Sequence, residues 1–239
     1  MSPRGTFDHQ LNTLAHRVVR MGSLVEEAIE LSLEALFNRD TPLALRVLSE
    51  DDAINDLRFN IEEECYTLLA LQQPLARDLR VVSAAITAAT NLERIGDHAV
   101  AIAALTRQLN EVQELKPPPQ ISQMGQMARS MLRRALDAYI SYDAALATEV
   151  ANEDFQLNHL KDNCVQDLIT VMSGNPDYIH QGTYLIWVSH RLERIGDGVK
   201  NICERTVYIT SNKLFDFDRH PEYDEFEGEE RWVDKSEES

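Results

Sequence analysis

Cysteine, aromatic residues and basic charge are all scarce in this sequence, and each shortage counts against a class of protein. The three cysteines, Cys65, Cys164 and Cys203, are scattered with no Cys-x-x-Cys pair. That pattern lacks a disulfide framework and fits buried thiols in a reducing cytoplasm. Aromatics make up 7% of a chain that is 44% hydrophobic, so the core must be built from Leu, Ile, Val and Ala, as in helix bundles. Against 40 Asp and Glu stand only 23 Lys and Arg, a net charge of −17, which argues against nucleic acid or an anionic membrane surface as a partner. No run approaches the roughly 18 uncharged apolar residues of a membrane span, and no apolar signal core follows the first basic residue. A soluble, cytoplasmic protein without membrane insertion is expected. Gly-rich phosphate loops, nucleophile elbows and Cys–His sets are missing too. Nothing nominates a catalytic nucleophile, and a non-enzyme is expected.

What is present is helical periodicity, and it occurs twice. Leu14, Val18, Met21, Val25, Ile29, Leu33 and Leu36 mark a helix over 11–37. Thr41-Pro42 reads as an N-cap with Pro in first position, opening a second helix to about residue 72. Pro74 opens a third, over about 75–108, before the stiff break Lys116-Pro117-Pro118-Pro119. Met124 to Ile140 then forms a helix, Ser141 is the expected cap of the next, and Ser173-Gly174-Asn175-Pro176 is a stop and restart before a helix over 177–211. The chain thus duplicates a three-helix unit, with Met21 matching Met124, Pro74 matching Pro176 and Glu93 matching Glu193. The expectation is all-α: two tandem antiparallel three-helix bundles, over 6–115 and 120–212. From 213 to 239 the chain carries 4 Lys/Arg against 11 Asp/Glu, and an acidic, mostly disordered tail is expected there.

The two copies share a pentapeptide, Glu-Arg-Ile-Gly-Asp, at 93–97 and 193–197. On a helix Glu93 and Asp97 project from one side, as do Glu193 and Asp197. Like charges at that spacing repel, and a mid-helix glycine, Gly96 or Gly196, costs about 1 kcal/mol relative to Ala. A helix built only for stability would avoid both. The preceding helices hold acids as well. If each pair of helices folds back about its turn, Asp52 and Asp56 fall roughly level with residues 94 and 90, and Asp154 and Asn158 roughly level with 198 and 194. Four carboxylates at one level need protons, arginines or a cation. An oxygen-rich cluster suits magnesium, manganese, calcium or iron better than thiol-seeking metals. The alternative is salt bridging with Arg77, Arg80 or Lys161. His98 and His190 lie near the acids, but no Glu-x-x-His is present to make a carboxylate-bridged di-iron enzyme.

Gln73-Pro74-Leu75-Ala76-Arg77-Asp78-Leu79-Arg80, Asn91-Leu92-Glu93-Arg94-Ile95-Gly96-Asp97-His98 and Leu192-Glu193-Arg194-Ile195-Gly196-Asp197 together resemble the PhoU family of phosphate-transport accessory proteins. The resemblance covers about residues 6–212. It implies paired three-helix bundles, often homodimeric, that bind metal ions (iron, zinc, manganese or magnesium) on Glu/Asp-x-x-x-Asp motifs. Carried over by position, those motifs are Glu93 with Asp97, Glu193 with Asp197, and Asp52 with Asp56; in the second repeat Asp154 is followed by Asn158, a departure that puts the second cluster's nuclearity in question. The resemblance also implies a regulator that represses the phosphate-starvation response. Its partners would be the ATPase subunit of the phosphate ABC transporter and a phosphate-sensing histidine kinase. An accessory subunit of a low-affinity phosphate or metal permease is the alternative that the same fold allows.

Overall fold

Apolar residues three and four apart, uninterrupted by Pro or paired Gly, make six long helices, and the structure, a computed structural model, describes them over residues 3–112 and 114–217. They are α1 (Pro3–Asn38), α2 (Thr41–Gln72), α3 (Arg77–Asn110), α4 (Pro119–Ser141), α5 (Ala144–Gly174) and α6 (Ile179–Ser211). A short 3₁₀ turn, Pro176–Tyr178, precedes α6. Among the described residues there is no strand, and no helix is long and apolar enough to cross a membrane. The expected all-α duplication is the one observed. The acidic tail from 218 onward lies outside the described residues.

The caps fall one or two residues from where the sequence reading puts them. Asp40, not Thr41, caps α2, its Oδ1 accepting the Leu43 N–H at 2.9 Å. Asp143, not Ser141, caps α5 by accepting from Ala145 and Leu146 at 2.9 and 3.0 Å. Ser141 instead ends α4 and donates back to the Asp137 carbonyl at 2.6 Å. An aspartate oxygen reaches the free N–H groups as well as a hydroxyl does, and its charge also suits the helix N-terminus. Asn175 does cap, but it caps the 3₁₀ turn, accepting the Asp177 N–H at 3.1 Å.

One hydrophobic cluster runs through all six helices, so the core does not divide at the proline run. Within each repeat the helices pack antiparallel. Across the repeats α3 lies against α6 and α1 against α4. The α1–α4 contact is reciprocal. A Cβ on Gly22 would come within 2.3 Å of Leu136 Cδ1, and one on Gly125 within 2.3 Å of Leu33 Cδ1. Gly22 matches Gly125 and Leu33 matches Leu136 under the spacing that relates Met21 to Met124. The two halves therefore meet as the subunits of a two-fold dimer do, each giving a glycine to the other's leucine.

Polar contacts tie the same seam. Arg80 donates through Nε to the Ile209 carbonyl at 3.2 Å and through a terminal nitrogen to Asn212 Oδ1 at 2.9 Å, satisfying the carbonyl end of α6 from α3. The Arg77 guanidinium stacks 4.7 Å over the Tyr142 ring, between the α2–α3 and α4–α5 turns. These arginines join the repeats and do not pair with the pentapeptide acids.

The three cysteines are buried and free, as expected. Burial pushes the thiols of Cys65 and Cys203 up to about 12 and that of Cys164 up to about 11. The thiolate is the reactive form. A disulfide-exchange reagent at neutral pH is therefore expected to label the native chain at least ~100-fold more slowly than the urea-unfolded chain. Rapid labelling of any cysteine in the native state would contradict that burial.

Candidate metal centre

The glycine of each pentapeptide is explained by what lies against it. A Cβ on Gly96 would sit 3.2 Å from Ile54 Cδ1. One on Gly196 would sit 2.4 Å from Leu157 Cδ2 and 2.9 Å from Asp154 Oδ1. The glycines let α2 approach α3, and α5 approach α6, closely enough for the acids of facing helices to meet. The helix propensity given up at Gly96 and Gly196 is thus exchanged for closeness between charged faces.

In the first repeat the facing residues of α2 are Asp51, Asn55 and Arg58. Asp52 and Asp56 are exposed. The correction is one residue, and on a helix one residue is a rotation of about 100°. Core positions on α2 are Ala44, Val47, Ile54, Ile61, Cys65 and Leu68. Asp51 and Arg58 complete that stripe at three- and four-residue steps, where Asp52 and Asp56 do not. Asn55 donates to Asp51 Oδ2 at 2.9 Å, and Arg58 Nε lies 3.7 Å from Glu93 Oε1. Burial and then the charge of Asp97 hold the Glu93 carboxyl above its usual range, while Arg58 pulls the other way. Burial and then Asp97 also raise Asp51, which the Asn55 hydrogen bond opposes. Asp51, Glu93 and Asp97 thus repel one another across the α2–α3 contact.

The second repeat is built on the same frame. Asn158 donates to Asp154 Oδ2 at 3.2 Å, and Lys161 Nζ is 3.5 Å from Glu193 Oε1. Asp154, Asn158 and Lys161 stand at the spacing of Asp51, Asn55 and Arg58. Asn158 is therefore no departure of the second repeat, because Asn55 holds the same place in the first. Arg194 turns back to Asp197 at 3.2 Å and Glu193 at 3.7 Å. Lys200 Nζ lies 3.0 Å from Asp154 Oδ2 and 3.5 Å from Asp197 Oδ1.

The sequence-expected ligands are therefore divided. Glu93 and Asp97 are brought to Asp51, and Glu193 and Asp197 are brought to Asp154, but Asp52 and Asp56 face solvent. Among the described residues no three His, Cys, Asp or Glu side chains lie close enough to hold one ion as they stand. In the first repeat Asp97 is exposed, while Asp51 and Glu93 are half-buried. His98 is half-buried, and burial and then Arg191 push its imidazole below the usual range. His190 is exposed, one turn before Glu193 on α6. The residues the sequence reading missed, Asp51 and Arg58, were marked by the apolar stripe of α2 that they complete.

A substitution tests the repulsion in the first repeat. Asp51→Asn keeps the shape and removes one of three like charges, so it is expected to raise the melting temperature of the metal-free protein at pH 7 by calorimetry. A lowered melting temperature would mean that the Asp51–Asn55 hydrogen bond outweighs the repulsion.

The family model described as the PhoU domain matches residues 18–106 and again 121–206. The phosphate-specific transport system accessory protein PhoU homolog of Clostridium acetobutylicum is 36% identical over 214 residues, spanning 89% of this chain and 98% of its own length. The crystal structure of PhoU from Pseudomonas aeruginosa superposes with a TM-score of 0.83 at 34% identity, covering 87% of this chain and all of that one. The phosphate transport system regulatory protein PhoU from Streptococcus pneumoniae gives 0.81 at 34%, covering 88% and 99%.

Proposed function

Because the chain belongs to the PhoU family, we propose that it is an accessory protein of a phosphate transport system, acting without catalysis as a negative regulator of phosphate uptake and of the phosphate-starvation response. In this reading it couples the ATPase subunit of the phosphate ABC transporter to a phosphate-sensing histidine kinase in the cytoplasm, as a homodimer. The observation that carries it is the double match. Each family domain falls on one repeat, and the relatives named as accessory or regulatory proteins of phosphate transport match over nearly their full length. Support for a non-enzymatic role comes from the thiols, which are buried and held protonated. The test is a pull-down of the transporter ATPase and the kinase with this chain, together with deletion of its gene. Constitutive expression of phosphate-starvation genes is expected on deletion, and an unchanged response would end the proposal.

The reading includes a metal ion in the first repeat. Asp51, Glu93 and Asp97 supply an all-oxygen donor set whose mutual repulsion a divalent cation would relieve, and magnesium, manganese or iron fits such donors. Arg58 stands 3.7 Å from Glu93 while donating to Glu62 at 2.7 Å, so it offsets the repulsion only in part. Elemental analysis of the purified protein should find the metal in wild type and lose it in Glu93→Ala/Asp97→Ala. Equal content in both would leave inter-helix salt bridging as the role of these acids.

A further inference from the structure

The repeats differ at one position that governs what can occupy them. With the pentapeptides aligned, Val100 of α3 corresponds to Lys200 of α6. In the second repeat the Lys200 ammonium sits between Asp154 and Asp197, at 3.0 and 3.5 Å, and the side chains of Lys200 and Asp154 are each 7% exposed. In the first repeat the valine ends short. A cavity of about 210 Å³ lies beside it, bordered by Val100, Asp51, Ile54, Val47 and the ion-paired Arg46 with Glu50; of the three acids only Asp51 lines it.

We infer that Lys200 is a built-in cation that takes the place of a divalent ion in the second repeat, so that this half of the molecule is closed to metal. The inference rests on the metal reading of the first repeat only for what Lys200 replaces. Charge makes the case. Asp154, Glu193 and Asp197 are met by Lys200, Lys161 and Arg194, acid for base. Glu204, one turn beyond Lys200, has Arg205 at 4.0 Å and accepts the Phe217 N–H at 3.2 Å. In the first repeat Asp51, Glu93 and Asp97 have Arg58 on Glu93, and Arg46 beside the cavity is engaged by Glu27 and Glu50. A divalent ion entering the second repeat would have to displace a buried ammonium or stand against it, and in a site of low dielectric either is strongly unfavourable.

The test is manganese binding to the full, metal-stripped chain, read by equilibrium dialysis with elemental analysis and by the manganese-dependent rise in melting temperature. Wild type is expected to keep its manganese in Glu193→Ala/Asp197→Ala and to lose it in Glu93→Ala/Asp97→Ala. Lys200→Val, which copies the first repeat, is expected to take up additional manganese, and Val100→Lys to lose what wild type binds. Wild-type manganese that disappears in Glu193→Ala/Asp197→Ala would overturn the inference, as would a Lys200→Val chain that gains none. If wild type binds no manganese at all, the metal reading of the first repeat fails, while a gain in Lys200→Val still upholds the role of Lys200. Should Lys200→Val not fold, Lys200→Met, nearly as long and without charge, serves in its place, and a Val100→Lys chain that retains wild-type manganese counts against the inference.

Discussion

Asp154→Ala is expected to lower the stability of the metal-free protein by about 3 kcal/mol, because it leaves the Lys200 ammonium buried without its nearest carboxylate. The two side chains are each 7% exposed and 3.0 Å apart, so this is a buried pair and not a surface one. The cost of breaking such a pair comes mostly from the charge left behind, at about 3–5 kcal/mol. Asp197, 3.5 Å from Lys200 but 31% exposed, offsets a part, which puts the figure at the low end. Urea unfolding at pH 7 would read it, and in a domain of this size it is a drop in melting temperature of roughly 6–12 °C. Removing both charges, as Asp154→Leu with Lys200→Met, should restore most of the loss. A double variant no better than Asp154→Ala would mean that the pair contributes something other than charge neutrality.

The second large effect is expected at the contact between the pentapeptide helices. Ile95 is fully buried, and a Cβ on Gly198 would lie 2.7 Å from its Cγ1. Ile95→Ala should cost about 3 kcal/mol through lost burial and the cavity left behind. Gly198→Ala alone gains helix propensity of about 1 kcal/mol but overpacks against Ile95, at a cost of about 1–3 kcal/mol. Together the two substitutions remove the clash and part of the cavity. Ile95→Ala/Gly198→Ala should then be more stable than the sum of the single changes predicts, by about 1–2 kcal/mol. Additive behaviour within about 0.5 kcal/mol would show that α3 and α6 can shift apart at that point without penalty.

The sequence carried the helices well because their signals are long and repeated. Six apolar stripes and the proline breaks place every helix, although α1 begins at Pro3 and not near residue 11, and α4 at Pro119 and not at Met124. The caps were less legible, since Thr41 and Ser141 are as good capping types as Asp40 and Asp143, and only the path of the chain decides between them. The candidate site was legible in part. Glu93, Asp97, Glu193, Asp197 and Asp154 all stand where helix geometry puts them. Asp52 and Asp56 were chosen by counting levels about a turn, a method that fixes height along the helix and not rotation about it. Rotation is set by the buried stripe, and Ile54 with Ile61 places Asp51 and Arg58 on the inner side. The spacing that relates Met21 to Met124 also takes Asp51 to Asp154, a second signal for the same residue. The role of Lys200 was hidden because a lysine three residues after a carboxylate is ordinarily a solvated helix pair.

The reciprocal seating of Gly22 on Leu136 and Gly125 on Leu33 means that this chain contains, within one polypeptide, the contact that two identical subunits would make. Two separate copies would be bound to carry the same side chain at both related positions, and any change would strike both at once. Joined in tandem, the halves are released from that equality. Valine at 100 and lysine at 200 are an instance: a single fold used twice, with an apolar side chain beside Asp51 in one half and an ammonium on Asp154 in the other.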